Sequence, residues 1–441
     1  MKPDVPTLIA QLKSQAIHSI FPQYVDLHGV AKGKVVPVDE LGTLVDAGAG
    51  FAGFSIWGMG LPRSGKRAEY YARADLGTLQ PMSWMPGYAR VVCDGFVAGE
   101  PFVDCPRQVL KRQVARLAKH GWVLNSGLEP EFFLLRKTDA GWQPNDARDV
   151  LDKPSYDYKS VTRSRVVLED IVRHCQASSL HVYQTDHEDA LGQFEINYAY
   201  ADALKAADNY LLFKMIASSV ADAHGLTASF MPKPFEHMAG SGLHFHLSIA
   251  DSGGKNLFED RADALELSEL AYHFIGGLLA HAGALCAVAA PTVNSYKRLV
   301  TGNSISGATW APTTVNYGPD NRTSMVRATH GRIELRVPDP SCNAYLALAA
   351  VIAAGLDGVE RKLHPGQPST DDLEADISKA VAPSLPQDLG AALQALAADR
   401  RFADAMGGQV VQNFLQLKSE EWQGYRRHVS GWELDRYAAF Y

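Results

Sequence analysis

The chain has 441 residues, too many for one ordinary hydrophobic core, so two domains are expected. Hydrophobic residues at 46% and charged residues at 21% are typical of a folded, water-soluble protein. The net charge of -7 is spread without an acidic or basic block, which argues against nucleic acid or an anionic membrane as partner and leaves small molecules. Residues 1–15 are mixed in polarity and lack the apolar stretch of a secretion signal. Residues 21–38 (FPQYVDLHGVAKGKVVPV) alternate and turn like a hairpin, with 26–33 as the connection, and strand-like segments recur to about Val103. Pro106 then opens a helical pattern over 107–120, with Val109, Leu110, Val114 and Leu117 on one side and Gly121 as its stop. The boundary is therefore expected within 101–106, giving a small sheet-rich unit over 1–103 and a larger one over 104–441. Within the first unit, 60–67 (GLPRSGKR) nearly spells a phosphate-binding loop. Arg67 stands where a Ser or Thr would hold Mg²⁺ and Pro62 interrupts the run, so a polar loop is expected instead.

The second unit opens on 127–134 (GLEPEFFL). In a strand, Glu129 and Glu131 project from the same face of an otherwise apolar, aromatic run. Burying unpaired carboxylates is costly, so the pair calls for solvent, arginines or a cation on that face. Residues 181–198 add Glu188 and Glu195; the neighbouring His187 reads as an ordinary polar residue rather than a ligand. A helix is expected over 202–224, stopped by Gly225, with Leu204, Ala207, Leu211, Met215 and Ser218 on one stripe. Along 241–249 (SGLHFHLSI), His244, His246 and Ser248 share one face, although His246 alone reads as a hydrogen-bonded core histidine. Residues 332–336 (RIELR) repeat the pattern, with charged side chains opposite aliphatic ones. Three strands so patterned are expected to converge. The most apolar run, 274–290, is too short for a membrane span and reads as one buried helix. Beyond Asn343 the chain is mainly helical, with 345–356 buried, 389–406 amphipathic and 365–372 a loose linker. The five cysteines are scattered and form no C-x-x-C pair, which fits a reducing cytoplasm and excludes a thiolate metal site.

Glutamate oxygens with a histidine nitrogen and no cysteine suit Mg²⁺ or Mn²⁺ better than a structural zinc. Glu129, Glu131, Glu188, Glu195, His244 and Glu334 are enough ligands for two ions, which together would position a polyphosphate. Arg298, Arg322, Arg327, Arg332 and Arg336 fit the same picture, because guanidinium forks bind carboxylates and phosphates bidentately. The residues alone therefore point to a metal-dependent phosphoryl-transfer enzyme with an anionic substrate.

These segments carry a resemblance. GLEPEFF at 127–133, HEDALGQFEIN at 187–197, FMPKP at 230–234, GSGLHFHLS at 240–248, PTVNSYKRL at 291–299, NRTSMVR at 321–327 and RIELRVPDP at 332–340 are similar to the motifs of the glutamine synthetase family. Within it the chain resembles the γ-glutamylmethylamide synthetase (glutamate-methylamine ligase) branch. The resemblance implies an α+β fold: a small N-terminal β-grasp-like domain and a catalytic domain whose antiparallel strands form a funnel flanked by helices. It implies a cytoplasmic ring assembly, a dodecamer of two stacked hexamers, with sites shared between subunits. By motif position, Glu131, Glu188 and Glu195 would hold one ion, and Glu129, His244 and Glu334 the other. Arg298, Arg336 and Gly240 would bind glutamate, and Arg322 would face the transferred phosphoryl group. His246, Ser248, Arg327 and Arg332 would line the ATP side. The implied reaction forms γ-glutamyl phosphate from glutamate and ATP, then replaces phosphate with an amine.

Departures from the family pattern bear on the amine. Ammonia-using members carry an aspartate in F-D-G-S-S of the neighbouring subunit, whereas 51–55 read FAGFS and place Ala52 there, with Ser55 beyond it. They also carry a flap glutamate where this chain has Ser304, which would face the reacting amine. Two carboxylates fewer weaken the attraction for ammonium and leave room for a methyl group, so methylamine is the expected amine. Ammonia, ethylamine, a polyamine or an ethanolamine are the alternatives, and a non-catalytic ring protein is the remote one. Tyr156 is a further candidate for the amine pocket, and Ala239 replaces an asparagine that helps hold glutamate in many members.

Overall fold

The computed structural model describes residues 4–302 and 304–441; Asn303, which ends the 296–303 stretch of the flap motif, and residues 1–3 of the leading segment lie outside it. Strand β1 (Ser19–Val25) turns back into β2 (Ala31–Gly33), pairing Gln23 with Gly33. The expected hairpin forms, but its connection stops at Val30, because Ala31 already pairs with Val25. With β3 (Ala49–Ala52), β4 (Glu69–Ala74) and β5 (Tyr88–Val97) they form the path β2-β1-β5-β4-β3 of an eight-stranded sheet whose other three strands are short pieces beside it, and β1 and β5 run parallel. Its core is Ile20, Tyr24, Tyr70, Val91 and Cys93. Segment 60–67 is an irregular connection running into β4, with no helix behind it, so it lacks the frame of a phosphate loop.

Helix α1 (Pro106–Ala118) starts on proline, whose missing N–H costs nothing in a first turn, and Gly121 at φ 73° turns the chain into β6 (Trp122–Thr138). Next come α2 (Tyr158–Ala177), β7 (Val182–His187), β8 (Gln193–Tyr198), α3 (Ala203–Ala223) and β9 (Leu243–Asp251). Asp202 caps α3 by accepting from the N–H groups of Leu204 and Lys205. The buried face of α3 is broader than the expected stripe and includes Ala203, Ala206, Tyr210, Leu212, Phe213, Ile216, Ala217 and Val220; Ala207 and Leu211 of that stripe are buried as expected, while Leu204, Met215 and Ser218 are only half-buried. Phe213 packs against Phe132 and Phe230 on that side.

The apolar run 274–290 is two helices, α4 (Glu269–Ala280) and α5 (Ala282–Ala289), bent by 76°. At the bend His281 is buried, with Nδ1 against Asp399 (2.5 Å) and Nε2 against Asp357 (3.0 Å). Burial opposes a charge on this ring, yet the two carboxylates outweigh it and raise its pKa. Among the described residues no single helix is long and apolar enough to cross a membrane. Then follow α6 (Ser295–Arg298), β10 (Tyr317–Pro319), β11 (Val326–Thr329), β12 (Arg332–Leu335) and the buried α7 (Ala344–Glu360). The amphipathic stretch 389–406 divides at Asp399 into α8 (Leu389–Ala398) and α9 (Arg400–Met406), because Asp399 caps the second piece. Segment 365–372 has no regular structure but is not loose: Ser369 N–H donates to Tyr317 O, and Asn321 Nδ2 donates to Ser369 O and Asp371 O.

The second sheet has ten strands and the central order β7-β8-β6-β9-β12-β11-β10, antiparallel throughout except for the edge pair β10 and β11. Arg107 of α1 joins the two sheets' territories. It is 3% exposed and bonds Asp75 and Asp94 on the N-terminal side and Asp208 of α3 on the other, each at 2.9 Å.

Candidate active site

Strand register assembles the site. Glu131 of β6 lies opposite Glu195 of β8, Glu129 opposite His244 of β9, His246 opposite Glu334 of β12, and Glu334 opposite Arg327 of β11. The alternation that puts Leu128, Leu243, Phe245 and Leu335 into the core points these polar residues the other way, into a cavity of about 710 Å³. The three polar-faced strands β6, β9 and β12 thus converge, and β8 and β11 join them.

Glu131, Glu188 and Glu195 offer one carboxylate oxygen each within 4.8 Å of one another. Burial, then repulsion from Glu188, raises the Glu131 carboxyl; burial, then Glu188, Glu129 and Glu131, raises Glu195. Glu188 rises to about 7, through burial and then Asp186. Three crowded carboxyls that resist ionising together, all oxygen donors, fit a divalent cation. Glu131 is also aimed: its Oε2 accepts from Gly242 N–H (2.8 Å) and from Gln193 Nε2 (3.2 Å). A Cβ at Gly242 would come within 2.5 Å of His244 Nε2, and one at Gly240 within 2.6 Å of Pro232 O, so both positions need glycine.

The second group is Glu129, Glu334 and the two histidines of β9. His246 Nε2 lies 3.0 Å from Glu129 Oε1, while its Nδ1 accepts from Arg332 Nε at 3.2 Å. With Nδ1 accepting from Arg332, Nε2 carries the proton and donates to Glu129. His244 Nδ1 instead sits 3.6 Å from Glu334 and 3.7 Å from both Glu129 and Glu131. Burial and then Arg336 push His244 down to about 4, leaving a neutral ring between carboxylates. Glu129, His246 and Glu334 offer one atom each within 4.8 Å of one another, and His244 brings a second imidazole to the same carboxylates. At Glu334 burial acts upward, but Arg336 and the histidines outweigh it and hold the carboxyl near 2. Arg327 and Arg336 both bond Glu334, so basic side chains suited to anionic ligands neutralise the wall of the cavity.

Arg298, Arg322, Arg327, Arg332, Arg336, Gly240, Ala239, His246 and Tyr156 line the cavity together with Glu129, Glu131, Glu188, Glu195 and His244, while Glu334 lies buried just behind Arg327 and Arg336. Unpartnered buried atoms among the described residues, Asn197 Oδ1, Asp186 Oδ1 and Arg336 Nε, belong to the same lining and suit a polar ligand. Ser248 and Ser304 are not brought into the lining: Ser248 sits deeper along β9 opposite Asn125, and Ser304 bonds Ser306 Oγ at 2.9 Å. Ala52 ends β3 and Ser55 lies just beyond it, both outside this chain's own cavity. His187 is fully buried between Asp149 Oδ2 (2.7 Å) and Glu188 O (2.7 Å), a structural residue as expected. Sequence reasoning missed Gln193, Asp189 and Trp310. Gln193 alternates in phase with Glu195, which was a usable signal; the other two are legible only from partners distant in the chain.

The raised carboxyls carry an expected result. From the ordinary 4.5 to about 7 the folded state holds more protons at Glu188 than the unfolded state does, so stability falls as pH rises through that window. Metal-free protein should melt at lower temperature as pH goes from about 5 to about 8, and a divalent cation should reverse the loss. Thermal unfolding with chelator and with metal checks this; a metal-free melting temperature that climbs would contradict it.

The family description "Glutamine synthetase, catalytic domain" matches residues 103–437. The "Glutamate--methylamine ligase" of Methyloversatilis universalis is 51% identical over 98% of both chains. A "Glutamine synthetase" of Rhizobium leguminosarum bv. phaseoli is 41% identical over 97% of this chain and 98% of its own. The solved structure "GmaS/ADP complex-Conformation 1" superposes with a TM-score of 0.93 at 41% identity, covering 98% of this chain and 99% of that one. With the same fold, the same motifs and matches over nearly its whole length, the chain belongs to the glutamine synthetase family.

Proposed function

We propose that the protein ligates glutamate to methylamine at the expense of ATP, giving γ-glutamylmethylamide, ADP and phosphate. The observation that carries this reading is one cavity holding two carboxylate groups and five arginines, together with Ala52 and Ser304 at positions where ammonia-using members carry carboxylates. The whole-length similarity to a glutamate-methylamine ligase supports it.

Arg298, Arg336 and Gly240 bind and orient glutamate in this reading, while Arg327, Arg332, His246 and Ser248 form the nucleotide side. In the first step an oxygen of the γ-carboxylate attacks the γ-phosphorus of ATP and the bond to ADP breaks. Arg322 meets the negative charge spread over the transferred group. When bound, Mg²⁺ or Mn²⁺ ions at Glu131, Glu188 and Glu195 and at Glu129, His244 and Glu334 supply charge neutralisation for phosphate oxygens. In the second step the amine nitrogen forms a bond to the carbon of the γ-carboxyl group, the bond from that carbon to the phosphate oxygen breaks so that phosphate leaves, and the nitrogen loses a proton. Tyr156, Ser304 and, from a neighbouring subunit, Ala52 and Ser55 bound the amine pocket, which must exclude water. That shared pocket implies a homo-oligomer, a dodecamer of two hexameric rings, with residues 1–103 serving the neighbour and 104–441 carrying the chemistry.

The test is ADP release and amide formation with glutamate, ATP and Mg²⁺ or Mn²⁺ against methylamine, ammonium, ethylamine, ethanolamine and a polyamine. Methylamine should be preferred at matched concentrations. A clear preference for ammonium would overturn the reading.

A further inference from the structure

Asp189 follows Glu188 in the turn between β7 and β8; it is 8% exposed and lines the cavity. Ser155 Oγ donates to its Oδ1 at 2.8 Å, and Ser306 Oγ (2.5 Å) and Trp310 Nε1 (2.9 Å) donate to its Oδ2. Three separate loops therefore meet on one carboxylate: the segment before α2, the turn itself, and the segment after α6. All three donors are neutral, and among the described residues no basic side chain forms an ion pair with Asp189. Its negative charge is left on the cavity wall.

Backbone geometry marks the same two loops. Among the described residues, the non-glycine residues of the cavity lining with positive φ are Tyr156 at 63° and Trp310 at 56°. Side chains seldom adopt this conformation, and it persists where surroundings over-determine it, often at ligand sites. Trp310 bonds Asp189 directly, and Tyr156 follows the bonded Ser155. Trp310 O also accepts from Arg336 Nη2 at 3.0 Å, which ties the ring's backbone to the glutamate side of the cavity. Ser304 joins the assembly through Ser306.

We infer that Asp189 is a positioning and specificity-determining residue: it fastens the Tyr156 and Trp310 loops into one wall, whose aromatic faces and buried charge suit a small alkylammonium ion. Aromatic faces attract such cations and accept their methyl groups. The inference deepens the ligase reading and rests on it for the identity of the ligand. Asp189→Asn keeps the shape and the backbone N–H that donates to Glu188, but its amide accepts at one end only, so either Ser155 or the Ser306 and Trp310 pair faces an NH₂ in place of an acceptor.

The experiment has two arms on the full-length protein. In Asp189→Asn, hydrogen exchange should quicken together in peptides spanning 153–157 and 304–310, with other peptides unchanged. In steady state, the KM for methylamine should rise about ten- to a hundredfold, while glutamate-dependent ADP release without amine keeps its KM for glutamate and ATP within about twofold. More ADP should form per amide, because the loosened wall admits water. Trp310→Phe, which keeps a ring but loses the N–H, should show the same split and combine non-additively with Asp189→Asn; it also serves if the first variant fails to fold. Unchanged exchange at both loops would overturn the inference, as would equal losses for all three substrates. If wild-type protein uses no amine at all, the ligase reading falls, and the exchange arm still decides whether Asp189 fastens the loops.

Discussion

Glu131→Gln should lower turnover by about a thousandfold and raise the melting temperature of the metal-free protein, whereas Glu129→Gln should lower both. Losing a ligand that neutralises phosphate charge removes several kcal/mol of transition-state stabilisation, at about 1.4 kcal/mol per tenfold. The opposite effects on stability follow from opposite electrostatics on one strand. Glu131 is raised by burial and by Glu188, so it is strained when ionised; glutamine imitates its protonated form and can still accept from Gly242 N–H. At Glu129 burial also acts upward, but hydrogen bonds with His244 and His246 outweigh it and lower the carboxyl. Neutralising Glu129 strips His246 of its charged partner. Activity and chelator-treated thermal unfolding of both variants check the pair, and stability shifts of the same sign would show that the two carboxylates share one environment.

Ala52→Asp combined with Ser304→Glu should move amine preference towards ammonium by at least about tenfold, the usual scale for a methyl group in a pocket. Ser304→Glu places a carboxylate one hydrogen-bonded step, through Ser306, from the buried charge of Asp189. Two such charges attract a small bare cation more strongly and crowd a methyl group. Competition between methylamine and ammonium, read as the ratio of their kcat/KM values, measures the shift. An unchanged ratio would mean that the missing carboxylates do not set the choice.

Much of this was legible in the chain because alternation in a strand fixes direction. Once Leu128, Leu243, Phe245 and Leu335 are committed to the core, Glu129, Glu131, His244, His246 and Glu334 have one shared side left. The motif resemblance then gave the fold and the order of its elements. Two of the misreadings share one cause, partners distant in sequence. His281 bends an apolar run only because Asp357 and Asp399 meet it, and 365–372 is pinned only because Asn321 and Tyr317 reach it. Composition records neither. His246 looked like a core histidine beside a ligand, and its bonds to Arg332 and Glu129 give it an intermediate place that alternation alone could not assign.

Arg107 has a further consequence. Its guanidinium is shared among Asp75, Asp94 and Asp208, so the sequence boundary near residue 103 is not a seam in stability. Cutting the chain there would leave Arg107 and Asp208 on one fragment without the two N-terminal aspartates, and those aspartates on the other without their cation. The larger fragment would keep the Arg107–Asp208 pair but lose two of the guanidinium's three acceptors, and the smaller would hold Asp75 and Asp94 without their cation. The N-terminal sheet is thus anchored to the second sheet's side of the chain, and the two sheets should unfold in one cooperative step.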